Sequence, residues 1–146
     1  MPPTPEPIDD SYLQSLIGYN ASRVSLAVVT VFLERMARYG LKPVNFSVLS
    51  LITHNPGITS RQLCTSLGIL PPNLVGMLNA LEARALIVRR PHPHDGRAMG
   101  LHLTEEGNAL MQQAERTASE LETDVAARLT AAEARTLIKL LKKIYV

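Results

Sequence analysis

Residues 59–107 read TSRQLCTSLGILPPNLVGMLNALEARALIVRRPHPHDGRAMGLHLTEEG. At the start of this stretch, Thr59 and Gln62 form the pattern of a capping box, in which two side chains satisfy free backbone N–H groups at a helix start. Gly68 ends that short helix, and a pair of prolines starts a second one, because proline is tolerated in the first helical turn. Two short helices joined around a glycine are typical of a helix-turn-helix.

The spacing of apolar residues changes after Ala85. Residues 86–90 and 99–103 predict two strands, and residues 91–97 between them are turn-forming or basic. We therefore predict a β-hairpin with a long basic tip. Thr104, followed by two glutamates, predicts the capped start of a long helix.

The flanking sequence predicts further helices. Apolar residues recur at helical spacing from Tyr12 to Tyr39, which predicts one long amphipathic helix. The whole pattern predicts a mainly α fold with a small β-wing, in the order four helices, a hairpin and two helices. Residues 1–10, which are rich in proline, are expected to be a flexible segment before a single domain at 11–146.

Composition limits the possible functions. The chain has 146 residues with 46% apolar content, enough for one domain with a core. The single cysteine, Cys64, excludes an internal disulfide and any multi-thiolate metal site. No apolar run is long enough to span a membrane, and the first residues show no secretory signal. A reducing, intracellular setting is the expectation that fits best.

Charge is unevenly distributed along the chain. Between Arg35 and Arg97 there are eight basic and two acidic residues, a net charge of +6. Between Glu105 and Glu133 there are two basic and seven acidic residues, a net charge of −5. A basic middle beside an acidic flank indicates that the middle meets a polyanion, with chance clustering on a solvated surface as the alternative.

The element order and three strings resemble the MarR family of winged helix-turn-helix transcription regulators. The strings are LEARALI at 81–87, RRPHPHDGR at 89–97 and LTEEG at 103–107. The resemblance implies a cytoplasmic, nucleoid-associated bacterial regulator, a repressor that binds double-stranded DNA as a homodimer on a pseudo-palindromic operator. It also implies a DNA-binding lobe at about 43–104 and dimerisation helices at about 11–40 and 105–146. A small aromatic or phenolic effector is expected where the lobes meet, and neither a cofactor nor a membrane is implied.

The wing supplies the first set of candidate DNA-binding residues. Arg97, at the hairpin tip, is the candidate for insertion into a minor groove, whose negative potential favours a guanidinium. Asp95 either holds a neighbouring arginine in a bidentate pair or only shapes the turn. Arg89 and Arg90 are adjacent on the predicted strand, so one is expected to face phosphate and the other to brace the wing. Arg84 could have either role. The wing candidates are Arg89, Arg90, His92, His94, Asp95 and Arg97.

The second predicted helix of the helix-turn-helix supplies the other set, since its leucines take the opposite face. Only Asn73 and Asn79 can hydrogen-bond base edges, and their amides suit adenine. Val75 and Gly76 stand where family members often have basic or hydroxyl residues, so shape and phosphate contacts are expected to contribute more than base pairing. The candidates on this helix are Pro71, Pro72, Asn73, Val75, Gly76 and Asn79.

Two positions at the ends of this helix concern the backbone. Leu70 stands where a capping side chain is usual, so the helix start is expected to lack a side-chain cap. Ala85 stands where relatives often have glycine, and alanine can serve there if its φ stays negative.

The remaining candidates are weaker. Cys64 is expected to be a buried core residue, with a redox sensor as the alternative. His92 and His94 form a His-x-His pattern, for which partial positive charge near phosphate is a simpler use than metal binding. Arg23 and His54 are polar positions that the resemblance places beside a ligand cleft. Either could anchor an anionic aromatic ligand, with a capped or solvent-facing side chain as the alternative.

No catalytic motif is recognisable. The sequence contains no glycine-rich phosphate loop, no His-Glu-x-x-His and no Gly-x-Ser-x-Gly, so an enzyme is not expected. The rival to a DNA-binding regulator is a winged-helix protein-interaction module with little DNA binding. The second helix of the helix-turn-helix, called the recognition helix below, has few polar residues and favours this rival. The basic wing argues against it.

Overall fold

The computed structural model describes residues 1–146 and is mainly helical with one small antiparallel sheet. The helices are α1 (Ser11–Gln14), α2 (Ile17–Met36), α3 (Pro43–His54), α4 (Ser60–Leu67), α5 (Pro71–Ala83), α6 (Glu105–Val125) and α7 (Ala131–Tyr145), with a 3-10 turn at Ala37–Tyr39. The strands are β1 (Ile58–Thr59), β2 (Ile87–Pro91) and β3 (Met99–Leu103). This agrees with the predicted mainly α fold with a β-wing.

The sheet has three strands in the order β1-β3-β2, where the sequence predicted only the hairpin. In the hairpin, Ile87 pairs with Leu103, and on the other edge of β3 Ile58 pairs with Leu101. A two-residue strand shows no alternation, so its sequence gives no strand signal. Gly100 permits the third strand, because a Cβ at this position would lie 2.9 Å from the carbonyl oxygen of Gly57.

The single long helix predicted from Tyr12 to Tyr39 is wrong in two places. The chain leaves the helix between α1 and α2, where Leu16 is extended, and the Asn20 side chain donates to the carbonyl of Leu16 at 2.8 Å. At the other end, α2 tightens into the 3-10 turn and Gly40 follows with φ +63°. Apolar spacing reports which side of the chain is apolar, and it does not report whether each helical hydrogen bond forms.

The helix caps predicted at Thr59 and Thr104 form, and α7 begins with a cap of the same kind at Thr130. The hydroxyls of Thr59, Thr104 and Thr130 each accept a backbone N–H from the residue three positions later. At the start of α7, the backbone N–H of Thr130 donates to Glu133, and this bond lowers the pKa of the Glu133 carboxyl. Leu70 gives α5 no side-chain cap, as expected. The starts of α4, α6 and α7 are therefore fixed locally.

One core joins the winged lobe to the long helices. Met36 at the end of α2, Leu49 of α3, Leu74 of α5 and Met111 of α6 are all buried in it. α2 and α3 both pack against α6, so this helix connects the lobe that carries the wing to the helices that flank it. The wing and α5 therefore share one hydrophobic core with α2 and α6.

The outer helices carry apolar residues that the chain itself does not bury. No residue of α7 is buried, although Leu137, Ile138 and Leu141 lie along it. Tyr12 of α1 and Ile17 of α2 are exposed as well. No helix of the structure is both long and apolar enough to cross a membrane. Residues 1–10 form neither helix nor strand, and their flexibility stays a prediction.

Candidate nucleic-acid interface

The outward face of α5 is shaped as the sequence predicts. Leu74, Leu78 and Leu81 are buried, while the six candidate residues on this helix lie on the exposed side. Gly76 leaves the middle of this side without a side chain, since a Cβ built there would meet no atom within 4 Å. The backbone of α5 can therefore approach another molecule closely at this point.

The wing tip presents free cations. Arg90 and Arg97 are exposed and form no ion pair or side-chain hydrogen bond within the chain. The tip is closed by a hydrogen bond from the backbone N–H of His92 to the carbonyl of Ala98, at 2.9 Å. Both guanidinium groups are therefore available to phosphate or to a groove of DNA.

Asp95 does not hold an arginine side chain, which the sequence left as one of two interpretations. Its carboxylate accepts the backbone N–H of Arg97 at 3.1 Å, so it shapes the turn. A carboxylate two residues before an N–H reaches that backbone group easily, and this local bond satisfies it without ordering a long side chain. The turn-forming interpretation is the one the structure supports.

The two wing histidines are close but do not complete a metal site. Their rings lie 6.0 Å apart, and Nδ1 of His92 accepts the backbone N–H of His94 at 3.2 Å. No group of three histidine, cysteine or carboxylate side chains that could hold a metal occurs in the structure. Both rings remain beside the basic tip, where a proton would add positive charge.

Arg89 is the strand arginine that braces the wing. Its Nε donates to Oε2 of Glu82 at 3.0 Å, and its Nη2 donates to Oδ1 of Asn79 at 3.0 Å. Both partners belong to α5, so Arg89 fastens the hairpin to the recognition helix. The structure thus shows which of the two strand arginines braces the wing, because this guanidinium has two acceptors on the neighbouring helix, while DNA contact by Arg89 stays a prediction.

Arg84 is a second brace. It follows α5, and its guanidinium donates to the carbonyls of Tyr39 at 2.8 Å and Gly40 at 3.1 Å. These carbonyls are freed where the 3-10 turn after α2 ends, and a cation suits that end of a helical segment. Arg84 therefore connects the end of α5 to the turn that follows α2.

Ala85 does not meet the condition of a negative φ. Its φ is +57°, in the left-handed region, and it is the one non-glycine residue of the chain found there. The N–H of Ala85 bonds the carbonyl of Glu82 at 2.9 Å, and the N–H of Leu86 bonds that of Leu81 at 3.1 Å. These two bonds form a Schellman motif, which ends the helix and turns the chain sharply into β2. The turn needs this conformation whichever residue occupies it.

Three polar contacts that the sequence did not reveal join α6 to α3 and to the 3-10 turn after α2. Nε2 of His54, at the end of α3, lies 2.9 Å from Oε1 of Glu115, and the hydroxyl of Ser50 donates to the same oxygen at 2.9 Å. The hydroxyl of the buried Tyr39 lies 2.9 Å from that of Thr117. The partners are at least 61 residues apart in the chain, so no local pattern could have indicated them.

The two candidate ligand residues have different surroundings. Arg23 is exposed on α2 and forms no side-chain hydrogen bond or ion pair, whereas His54 is bonded to Glu115. Cys64 is half-buried, not fully buried as expected, because it lines a groove of about 390 Å³ between α4 and α5. Leu74 and Arg89 also line this groove, so it lies beside the recognition face.

The comparisons with known proteins agree with this geometry. The family model described as the MarR family matches residues 39–98. A transcriptional regulatory protein for the hcr operon of Thauera aromatica is 32% identical over 130 residues, covering 88% of this chain and 78% of that protein.

Two solved structures of the transcriptional repressor CouR are similar over nearly the whole chain. CouR bound to a 23-mer DNA duplex has a TM-score of 0.89 at 37% identity, covering 97% of this chain and all of that one. CouR bound to p-coumaroyl-CoA has a TM-score of 0.82 at 37% identity, covering 94% of this chain and 97% of that one. The chain belongs to the MarR family and is a DNA-binding transcriptional regulator of the winged helix-turn-helix type.

Proposed function

We propose that the chain is a repressor that binds a pseudo-palindromic operator as a homodimer and is released by an aromatic acyl-CoA thioester. The observation that carries the proposal is the whole-chain similarity to a repressor held on a DNA duplex. The exposed guanidinium groups of Arg90 and Arg97 supply the charge that such binding requires. Regulation of this kind would place the protein on the nucleoid.

The unburied apolar faces support the homodimer. Leu137, Ile138 and Leu141 of α7 have no partner within one chain, and Tyr12 and Ile17 at the other terminus are exposed as well. Apolar patches of this kind mark interfaces. A two-fold dimer presents two recognition helices about 34–36 Å apart, one turn of DNA, and so matches an inverted repeat.

The effector is proposed from the relative that carries p-coumaroyl-CoA, whose acyl group is phenolic as the sequence led us to expect. Arg23, which is exposed and without an ion pair, is our candidate for its anionic part. His54 is the other candidate, and it would contact the ligand from the end of α3 while sharing Glu115. An effector that favours a dimer geometry with the wrong half-site spacing needs only a few kcal/mol of differential affinity.

Selection of bound fragments from random duplexes at fixed salt tests the DNA part. We expect two inverted half-sites about one DNA turn apart, and an affinity that falls steeply as salt rises. Weak affinity that is independent of salt for every duplex would instead favour a protein-interaction module.

Release from the selected duplex tests the effector part. We expect p-coumaroyl-CoA to release the protein, while CoA alone and p-coumarate alone do so far less. Equal release by CoA alone would show that the aromatic acyl group is not recognised.

A further inference from the structure

Asn79 lies where a recognition helix can present it to a base edge. It is exposed, and it follows Pro72 by seven residues, close to two helical turns, so both residues point in the same direction. Gly76 lies one turn before Asn79 and adds no side chain to this face. The amide of Asn79 can therefore reach the floor of a major groove into which α5 is inserted.

The orientation of this amide is fixed by Arg89. A guanidinium has only donors, so the atom of Asn79 that it contacts at 3.0 Å must be the carbonyl oxygen. Arg89 is itself held by the carboxylate of Glu82 at 3.0 Å, and its side chain is about one-third exposed. The Nδ2 group of Asn79 consequently points away from the wing, and a half-turn of the amide would place two sets of donors against each other.

We propose that Arg89 makes Asn79 a hydrogen-bond donor toward DNA, so that Asn79 favours guanine or thymine over cytosine at one position of each half-site. In the major groove, guanine presents the acceptors N7 and O6 and thymine presents O4, whereas cytosine presents the N4 donor. An amide that rotates freely could pair with a donor or with an acceptor on the base edge, and it could bond both N7 and N6 of adenine. The inference rests on the proposed function, and it makes Arg89 a positioning residue for specificity.

The test compares base preferences after selection from random duplexes. For the wild type we expect one position in each half-site at which guanine or thymine exceeds cytosine by on the order of tenfold, the low end of what one polar base contact provides. Asn79→Asp keeps the shape and the contact with Arg89, but turns the outward group into an acceptor. We expect this variant to prefer cytosine at the same position, because a carboxylate accepts from N4.

Arg89→Met and Arg90→Met form a matched pair. The first frees the Asn79 amide to rotate, so the preference at that position should fall to within about twofold, well below what a fixed polar contact provides. The second removes an unpaired arginine from the adjacent position, so affinity should fall on all sequences while the preference remains. Thermal unfolding of each variant shows whether the fold is retained.

The outcomes separate the inference from the function on which it rests. If the wild type enriches no duplex, the proposed function fails. If it enriches a symmetric site but Asn79→Asp keeps the wild-type preference, or loses affinity equally on every sequence, then the assignment of Asn79 as a donor is overturned. If Arg89→Met retains the full preference, then Arg89 does not orient the amide.

Discussion

Replacing Ala85 with glycine tests whether the turn between the recognition helix and the wing is strained. Ala85 has a φ of +57°, and two backbone hydrogen bonds around it close the Schellman motif. The Cβ of an L-residue in this conformation lies too close to the following carbonyl oxygen, which costs roughly 1–2 kcal/mol. Glycine has no Cβ and does not incur this cost.

The expected gain is smaller than the full penalty. Glycine loses more backbone entropy on folding than alanine, a cost of about 0.5–1 kcal/mol. The difference between the two terms predicts that Ala85→Gly raises the free energy of unfolding by about 0–1.5 kcal/mol, with a central value of about 0.75 kcal/mol. The same substitution at Ala80, an exposed position inside α5, removes no strain and should lower it by about 1 kcal/mol.

Urea unfolding followed by circular dichroism measures both variants. The protomer concentration must be the same in each experiment, because the stability of a dimer depends on it. We expect the transition midpoint to move in opposite directions for the two variants at an unchanged slope. If Ala85→Gly destabilises the protein as much as Ala80→Gly does, then the left-handed conformation of Ala85 carries no strain and the reasoning is wrong.

Three further predictions concern DNA binding and the junction between the lobes. Arg97→Ala should weaken binding to every duplex and reduce the slope of log affinity against log salt by about one per subunit, measured by fluorescence anisotropy; an unchanged slope would remove the wing tip from the interface. Gly76→Ala should raise the free energy of unfolding by about 0.5–1 kcal/mol while weakening DNA binding, and equal or tighter binding would contradict close approach of the helix backbone. Arg84→Met should lower the free energy of unfolding by about 0.5–1.5 kcal/mol, because two backbone carbonyls exchange a charged donor for water. A change within experimental error would show that this brace is unimportant.

Local chemistry explains why much of the interface could be predicted. The helix starts at Thr59, Thr104 and Thr130 are set by side chains that bond the backbone three residues later. The exposed side of α5 followed from its leucine spacing. Each of these features depends on residues within one or two turns of one another, and the order of the elements followed from the apolar spacing and the turn-forming residues along the chain.

The braces needed the folded chain. Whether Arg89 faces phosphate or braces the wing could be decided only from the structure, which places Glu82 and Asn79 against its guanidinium. Asp95 accepts the backbone N–H of Arg97, only two residues away, yet the sequence could not show whether its carboxylate would bond this N–H or an arginine side chain. A long side chain can reach several partners, and its choice is decided by the packing of neighbouring elements.

The sequence by itself determined the helix caps, the apolar faces, the basic wing and the membership of a family. Tertiary structure decided the break before α2, the third strand beside Gly100, the left-handed turn at Ala85 and the links from α3 to Glu115. The physical reason is the range of the forces involved. Caps and periodicity act between neighbours in the chain, whereas the third strand and the links to Glu115 form only when distant segments pack together. The break before α2 and the turn at Ala85 are local, but they depend on backbone conformations that the apolar pattern does not report.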